Sequence, residues 1–162
     1  MDEAKPKRPS TTAIARYYEE RYHRLLRVAE GIVGDPDLAH DAVQDGFARV
    51  IRSRESFRDD GSVEGWIWRT VVRAALDVRA KRLLTADTPE VAHEPGNGFG
   101  DPIRSLIAAL PERQRLVLFL RYYADLDYDR IAAALDIRSG TVAATLNQAH
   151  KNLRRLLEEV HQ

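Results

Sequence analysis

Leu110 to Leu157 read LPERQRLVLFLRYYADLDYDRIAAALDIRSGTVAATLNQAHKNLRRLL, and this stretch decides the fold of the second half of the chain. Its apolar residues recur at helical spacing, and Tyr128–Leu135 form a short amphipathic segment. Residues 136–139 are expected to form a tight turn, with the hydroxyl of Ser139 capping the helix that follows. Two helices joined by so short a turn have the spacing of a helix-turn-helix. Many helical bundles share that spacing, so a second, independent signal is needed.

The last helix of this stretch is predicted to be amphipathic. Val142, Leu146, Ala149 and Leu153 recur every three or four residues and are expected to face the core. The opposite face carries small and polar side chains that suit a DNA groove, namely Thr141, Ala144, Thr145, Gln148, Lys151 and Asn152. The pattern therefore indicates a recognition helix.

Two further helices are predicted upstream. Asp35 and Pro36 are typical of a helix start, with aspartate as the N-cap and proline at the first helical position. The helix that follows has an apolar stripe made of Ala39, Val43, Phe47, Val50 and Ile51. A polar loop then leads to the helix WIWRTVVRAALDVRAKRL, which begins with aromatic residues and ends with basic ones. Trp66 and Trp68 stand two residues apart on that helix, so both cannot face the core.

The order of these segments resembles a known family. The blocks are YYEERYHRLLRVAEGIVGDPDLAHDAVQDGFARVI, SFRDDGSVEGWIWRTVVRAALDVRAKR, LPERQRLVLFLRYY and YDRIAAALDIRSGTVAATL. Together they resemble a bacterial RNA polymerase sigma factor of the small extracytoplasmic-function (ECF) group, over about 17–157. The resemblance implies an all-α fold of two small helical domains, a region 2 bundle and a C-terminal helix-turn-helix of region 4, joined by a flexible acidic linker. We expect a disordered arm over 1–12, the first domain over 13–84, the linker over 85–102 and the second domain over 103–162.

Composition narrows the function classes. The chain has no cysteine, which excludes disulfides and thiol catalysis within it. No apolar run approaches the roughly 18 residues of a membrane span, so we expect no membrane insertion. The N-terminal residues lack the apolar core of a signal peptide, so a cytoplasmic protein is expected.

The formal net charge is zero, which is unusual for a DNA-binding protein. The charge is unevenly distributed, because residues 66–84 hold five basic residues and one acidic residue. Residues 85–102 hold four acidic residues and no lysine or arginine. A neutral total fits a protein that a larger partner carries to DNA, since such a protein does not depend on its own counterion release.

The resemblance implies a polymerase-binding surface on the helix that contains DAVQD. In the family this helix docks on the clamp helices of the β′ subunit of core RNA polymerase, and the second domain meets the β flap. The residues carried over are Asp41, Gln44, Asp45, Phe47, Arg49 and Arg52. For Phe47 a plain core position is the competing interpretation, because it lies on the apolar stripe.

The resemblance also implies a surface that opens promoter DNA at the −10 element. Unpaired bases can stack on aromatic or guanidinium planes, which offsets a cost of a few kcal/mol per base. The residues expected there are Phe57, Arg58, Trp66, Arg69, Arg73, Asp77, Arg79, Lys81 and Arg82. Arg73 stands where the family usually has asparagine, which adds a cation that can hold a phosphate.

The recognition helix departs further from the family, which usually carries several basic residues there. The family commonly has a lysine, an arginine or a hydrogen-bonding histidine at the positions that are Ala143, Thr145, Asn147, Gln148, His150 and Asn152 in this chain. Each phosphate contact that is lost in this way weakens the binding to DNA. We therefore expect weak autonomous binding to the −35 element, or a domain that has turned toward protein contacts. The residues expected to reach −35 DNA are Arg138, Ser139, Thr141, Thr145, Gln148, Lys151, Asn152 and Arg155.

Catalytic and metal-binding patterns are weak. Asp125, Asp127 and Asp129 have the spacing of a calcium loop, but Arg130 occupies the position that requires glycine. Turn formation and helix capping are the expected roles of these aspartates. No nucleophile elbow or phosphate loop is present. We therefore expect no cofactor, no metal and no catalysis by the chain itself.

Three interpretations follow from the residues. The first is a sigma factor that binds core polymerase, directs it to promoter DNA and opens the −10 region. The second is a transcription regulator that binds duplex DNA without polymerase. The third is a sigma-like interaction module that sequesters polymerase or an anti-sigma factor, a partner that is common in the family.

Overall fold

The computed structural model describes residues 8–58, 62–85 and 101–161, with the backbone alone for 101–104. The described residues are helical throughout their regular structure and contain no strand, which confirms the all-α prediction. The α-helices are Thr11–Val33 (α1), Pro36–Ser53 (α2), Val63–Thr85 (α3), Asp101–Ala108 (α4), Glu112–Leu118 (α5), Tyr128–Leu135 (α6) and Ser139–Val160 (α7). A 3-10 turn at Arg54–Ser56 follows α2, and a π-helical turn at Phe119–Tyr123 continues α5.

Local signals set several helix ends where the sequence predicts them. The Asp35 carboxylate accepts a hydrogen bond from the Leu38 backbone N–H at 3.0 Å, and Pro36 is the first residue of α2. The Asp127 carboxylate caps α6 in the same way, accepting from the Arg130 N–H at 2.8 Å. Helix α6 spans the predicted residues because both its cap and its apolar spacing are local features.

Two sequence predictions about side chains were wrong. Ile51 was placed on the apolar stripe of α2 but is 45% exposed, because Val50 and Phe47 occupy the inward positions of that turn. Ser139 does not cap α7. The extended Arg138 backbone precedes the helix, and Ser139 is the first helical residue. Its hydroxyl instead donates a hydrogen bond to Asp129 Oδ1 at 2.9 Å, since Asp129 lies beside it at the start of α6.

Helices α1, α2 and α3 form a bundle around the buried Trp68. The large side chains buried with it are Ile14, Leu25, Val28, Val43, Val50, Ile67, Val71 and Val72. Gly46 allows α2 and α3 to approach closely, because a Cβ atom at this position would lie 2.9 Å from Cα of Val71. Glycine is thus required in the middle of α2 by packing against the neighbouring backbone.

Helices α4 to α7 form a second bundle, which packs directly against the first. Its core contains Leu120, Leu126, Ile131, Val142 and Leu146, and this core is continuous with that of the first bundle. Helix α6 lies against α3, and the Phe119 ring lies 3.4 Å from where a Cβ of Gly31 would be. Within the predicted linker, residues 86–100 lie outside the described residues, whereas Thr85 ends α3 and Asp101 begins α4.

Candidate DNA- and protein-binding surfaces

The polar face of α2 carries both exposed side chains without partners in the described part of the chain and one ion-pair network. Asp41 and Gln44 are exposed, and neither forms a hydrogen bond or ion pair with another described residue. Arg49 lies between two carboxylates, with Nη2 at 2.8 Å from Asp45 Oδ2 and Nη1 at 2.7 Å from Asp77 Oδ2. The hydrogen bond to Asp77 and the attraction of Asp45 raise the pKa of Arg49. Arg49 therefore connects α2 to α3, a structural contact that the sequence did not indicate.

Phe47 and Arg52 differ in accessibility. Phe47 is only 6% exposed and packs edge-on against the Tyr18 ring, with 4.6 Å between ring centroids. Arg52 is exposed near the end of α2. The structure therefore places Phe47 in the core of the first bundle, as the competing interpretation of the apolar stripe had it.

Aromatic residues meet at the start of α3. Trp68 is 1% exposed and lies in the core, whereas Trp66 is half-buried near the surface. The buried Phe57 ring packs against Trp66, with centroids 5.1 Å apart. The expectation that only one of the two tryptophans faces the core is thus confirmed, and Phe57 supports Trp66 from beneath.

The basic residues of α3 are divided between open and paired side chains. Arg69 and Lys81 are exposed, as is Arg58 ahead of the helix. Arg73 Nη2 lies 3.8 Å from Asp136 Oδ1, and Arg79 forms an ion pair with Glu112. Both carboxylates belong to the second bundle. Arg82, the last of the five basic residues of this helix, donates a hydrogen bond from Nη1 to the Val33 carbonyl at 2.9 Å.

A third ion pair joins the start of α3 to α6. Arg130 Nη1 lies 3.6 Å from Glu64 Oε2, and the Tyr17 hydroxyl donates to Glu64 Oε1 at 3.0 Å. Burial raises the pKa of Tyr17, and the hydrogen bond to the Glu64 carboxylate raises it further. A Cβ atom at Gly65 would lie 3.2 Å from Cγ of Arg130. Sequence reasoning missed these residues, because nothing in the local pattern shows that α6 meets α3.

The outward face of α7 carries few charges. Arg138, Gln148 and Lys151 are exposed, whereas Thr141 and Thr145 are half-buried. The Thr145 hydroxyl donates to the Thr141 carbonyl at 2.7 Å within the helix. Arg155 pairs with Glu159 one turn later. The face that the sequence assigned to DNA is therefore only partly accessible, and several of its polar groups already have partners in the protein.

An amide chain extends from α7 to α5. Gln148 Nε2 donates to Asn152 Oδ1 at 3.2 Å, and Asn152 Nδ2 donates to Gln114 Oε1 at 2.9 Å. Gln148 is exposed, whereas Asn152 and Gln114 are half-buried. Gln114 was not among the predicted site residues, since its proximity to α7 depends on tertiary packing.

The aspartates with calcium-loop spacing have structural roles. Asp127 caps α6, and Asp129 accepts a hydrogen bond from Ser139. Asp125 forms an ion pair with Arg121, with 3.8 Å between Oδ1 and Nη1. Within the described ranges, no group of three histidine or acidic side chains is arranged to hold a metal ion. In the same part of the chain, no helix has the length and apolar character needed to cross a membrane.

Comparison with protein families covers both bundles. The model of sigma-70 region 2 matches residues 17–83, and that of sigma-70 region 4 matches residues 101–153. The chain belongs to the sigma-70 family. It falls in the ECF group that the sequence motifs indicated, and its function is that of a sigma factor in transcription initiation, with core RNA polymerase and promoter DNA as partners.

Named relatives agree with this assignment. The RNA polymerase sigma-E factor of Streptomyces antibioticus is 30% identical over 145 residues, which cover 85% of this chain and 81% of the relative. The corresponding factor of Streptomyces coelicolor is 28% identical over 151 residues, covering 89% and 84%. The ECF RNA polymerase sigma factor SigE of Mycolicibacterium smegmatis is 28% identical over 160 residues, covering 90% of this chain and 61% of the relative.

Solved structures share the fold. CnrH in complex with the cytosolic domain of CnrY matches with a TM-score of 0.69 and 20% identity, covering 93% of this chain and 90% of that one. The sigma factor RpoE of Bartonella quintana, in complex with the anti-sigma factor NepR, matches with a TM-score of 0.65 and 21% identity, covering 88% and 97%. At these identities the likeness concerns the fold alone.

Proposed function

We propose that this sigma factor binds core polymerase and promoter DNA through three separate surfaces. The polar face of α2 binds core polymerase, the start and outer side of α3 hold the melted −10 element, and α7 contacts the −35 element. The observation that carries the first assignment is the exposure of Asp41 and Gln44, which form no bond with other described residues. Polar side chains held open on a rigid helix are suited to protein docking.

Substitution of the α2 face tests the polymerase-binding surface. Asp41→Ala and Gln44→Ala are expected to weaken core binding by about fivefold or more each, the loss typical of residues central to an interface. Glu19→Ala, which removes an exposed acidic residue of α1 rather than of α2, is the control and leaves core affinity unchanged. Unchanged affinity in all three variants, at unchanged thermal stability, would contradict this assignment. Phe47 is left out of the surface because it is buried.

The −10 surface is proposed to combine stacking with phosphate contacts. Trp66 is half-buried at the start of α3, where a flipped base can stack on it. Arg58, Arg69 and Lys81 are exposed and supply cations for the strand backbone. Arg73 and Arg79 face carboxylates of the second bundle, so they reach DNA only after that bundle has moved away. We propose that α6 leaves α3 when the protein engages polymerase and promoter.

The domain boundaries follow the same division. Residues 13–84 are proposed to act as the region 2 domain, 103–162 as the region 4 domain, and 1–12 as an arm. The arm was predicted to be disordered up to residue 12, but α1 already begins at Thr11, because Ser10 caps it. The acidic segment 85–102 is proposed to follow the RNA path of the polymerase, where its carboxylates repel the transcript. Neutralising Asp87, Glu90, Glu94 and Asp101 should then change abortive and full-length yields, and unchanged yields would refute the assignment.

Three further properties belong to the proposal. The protein acts in the cytoplasm, where core polymerase and promoter DNA are found, and it has no catalytic activity of its own. An anti-sigma factor controls it, a proposal supported by the sigma factor RpoE of Bartonella quintana, which shares this fold and is solved in complex with the anti-sigma factor NepR. The sparse charge of α7 makes its own affinity for the −35 element weak, so polymerase must supply most of the binding energy.

Run-off transcription from pooled genomic fragments tests the function as a whole. Purified core polymerase is used with and without the protein, and new transcripts that share an upstream element are the expected result. Core binding without transcripts would favour the sequestering module, and a mobility shift of duplex DNA by the protein alone would favour the stand-alone regulator.

A further inference from the structure

Gln114, Asn152 and Gln148 form a directed chain of amide groups, which ends on the face of α7 assigned to DNA. An amide side chain has a carbonyl oxygen that accepts and an NH2 group that donates. Gln114 presents its oxygen to Asn152, with 2.9 Å between Oε1 and Nδ2. The NH2 group of Asn152 therefore points toward α5 and its oxygen points along α7.

The orientation of Asn152 sets that of Gln148. Because the Asn152 oxygen faces Gln148, Gln148 must donate to it, and the structure has Gln148 Nε2 at 3.2 Å from Asn152 Oδ1. This bond uses one of the two N–H groups of Gln148. The other N–H and the carbonyl oxygen of this exposed side chain remain for a ligand.

One donor beside one acceptor matches adenine. In the major groove, adenine offers N7 as an acceptor and its N6 amino group as a donor, whereas guanine offers two acceptors, N7 and O6. If Asn152 turned over, its NH2 group would face Gln148 and engage the glutamine oxygen. Gln148 would then direct two N–H groups outward, which matches guanine.

We propose that Gln114, in the orientation that the structure shows, is a positioning residue for promoter specificity: by accepting a hydrogen bond from Asn152 it sets Gln148 in the orientation that matches adenine rather than guanine. The inference rests on the proposed contact of α7 with the −35 element and assigns a role to a residue outside the recognition helix. Gln114 itself need not touch DNA, since it lies half-buried on α5.

Substitutions at Gln114 separate this role from simple packing. Gln114→Glu keeps an acceptor toward Asn152 and so preserves the order of the chain. Gln114→Lys offers only donors, so Asn152 must turn its oxygen toward α5 and its NH2 group toward Gln148. Gln114→Ala removes the constraint and allows both orientations. We therefore expect Gln114→Glu to select adenine and Gln114→Lys to select guanine. We expect Gln114→Ala to discriminate less between the two bases.

The test uses holoenzyme assembled from core polymerase and the full chain, with a promoter library in which the −35 region is random and the −10 region is constant. Gln148→Ala locates the base position that depends on Gln148. There we expect the wild type and Gln114→Glu to favour adenine over guanine by roughly tenfold, in the range of a bidentate base contact. Gln114→Lys should invert the ratio, and Gln114→Ala should bring it close to one. Thermal unfolding of each variant shows whether it is folded.

The failure of this proposal differs from that of the proposed function. A Gln148-dependent adenine preference that is the same in folded Gln114→Lys or Gln114→Ala protein overturns the positioning role and leaves the −35 contact intact. If the wild type shows no preference that Gln148→Ala alters, Gln148 does not read the −35 element and the positioning role falls, while transcription that depends on the promoter library still supports the proposed function.

Discussion

Arg79 of α3 and Glu112 of α5 form an ion pair that joins the two bundles of the protein. Arg73 with Asp136 and Arg130 with Glu64 add two more pairs across the same boundary. Their side chains are partly exposed, so each pair contributes at most about 1 kcal/mol. The contact can therefore open at modest cost, and phosphates of promoter DNA can replace the carboxylates that face Arg73 and Arg79.

A disulfide between α3 and α6 tests whether the bundles must separate. The chain has no cysteine, and a Cβ atom at Gly65 would lie 3.2 Å from Cγ of Arg130, so a variant with Gly65→Cys and Arg130→Cys can form a single bridge. We expect run-off transcription to be lost in the oxidised protein and restored by reduction. The two single variants are the controls. Full activity of a protein shown by mass spectrometry to be bridged would contradict the opening step.

Gly46 is expected to be required for the stability of the first bundle. Gly46→Ala places a methyl group 2.9 Å from Cα of Val71, so α2 and α3 must move apart. We expect the free energy of unfolding to fall by about 1–3 kcal/mol, despite the better helix propensity of alanine. Urea denaturation provides the measurement. Gly140→Ala is the matched control, because nothing lies within 4 Å of its Cβ position, and it should leave stability unchanged or slightly higher.

The first bundle should lose stability at alkaline pH through Tyr17. Burial and the hydrogen bond to Glu64 raise the pKa of Tyr17 above its ordinary value of 10.0. The folded protein then keeps the phenol proton while the unfolded chain releases it. Stability is therefore complete below about pH 10 and falls above it, by up to about 1.4 kcal/mol per pH unit. Tyr17→Phe should remove this contribution, so a pH dependence equal to that of the wild type would refute it.

The cap of α6 should matter to the helix-turn-helix. Asp127→Ala removes the acceptor for the Arg130 N–H and is expected to lower the free energy of unfolding by about 1 kcal/mol. Asp127→Asn keeps a side-chain oxygen at the cap and should cost at most a few tenths of that value. Thermal unfolding distinguishes the two, and equal losses would show that charge, through the nearby Arg130, matters more than capping.

The helical period of α2 predicted most of its buried residues, but not all of them correctly. The helical period placed Val43 and Val50 in the core correctly, and it also placed Ile51 there, which is exposed. The period fixes which residues share a face, but the width of the buried face depends on how closely the neighbouring helix approaches. At α2 that approach is set by Gly46, a residue whose effect is visible only beside Val71.

The residues of the candidate surfaces divide in the same way. Family motifs indicated Asp41, Gln44 and Trp66 as surface residues, and in the structure Asp41 and Gln44 are exposed and Trp66 is half-buried. The motifs did not distinguish Arg69, whose side chain is exposed, from Arg79, whose side chain forms an ion pair with Glu112. Glu112 is 33 residues away from Arg79 along the chain. Gln114 was missed for the same reason, since its bond to Asn152 spans 38 residues.

By itself, the sequence determined the all-α class, the start of α2 at Asp35 and Pro36, the bounds of α6 and the family, because caps, helical period and motif order are properties of neighbouring residues. The tertiary structure alone decided that Phe47 is buried, that Ser139 bonds to Asp129, and that carboxylates of the second bundle face the cations of α3. These contacts join residues distant in sequence, and their geometry arises only when the helices have packed.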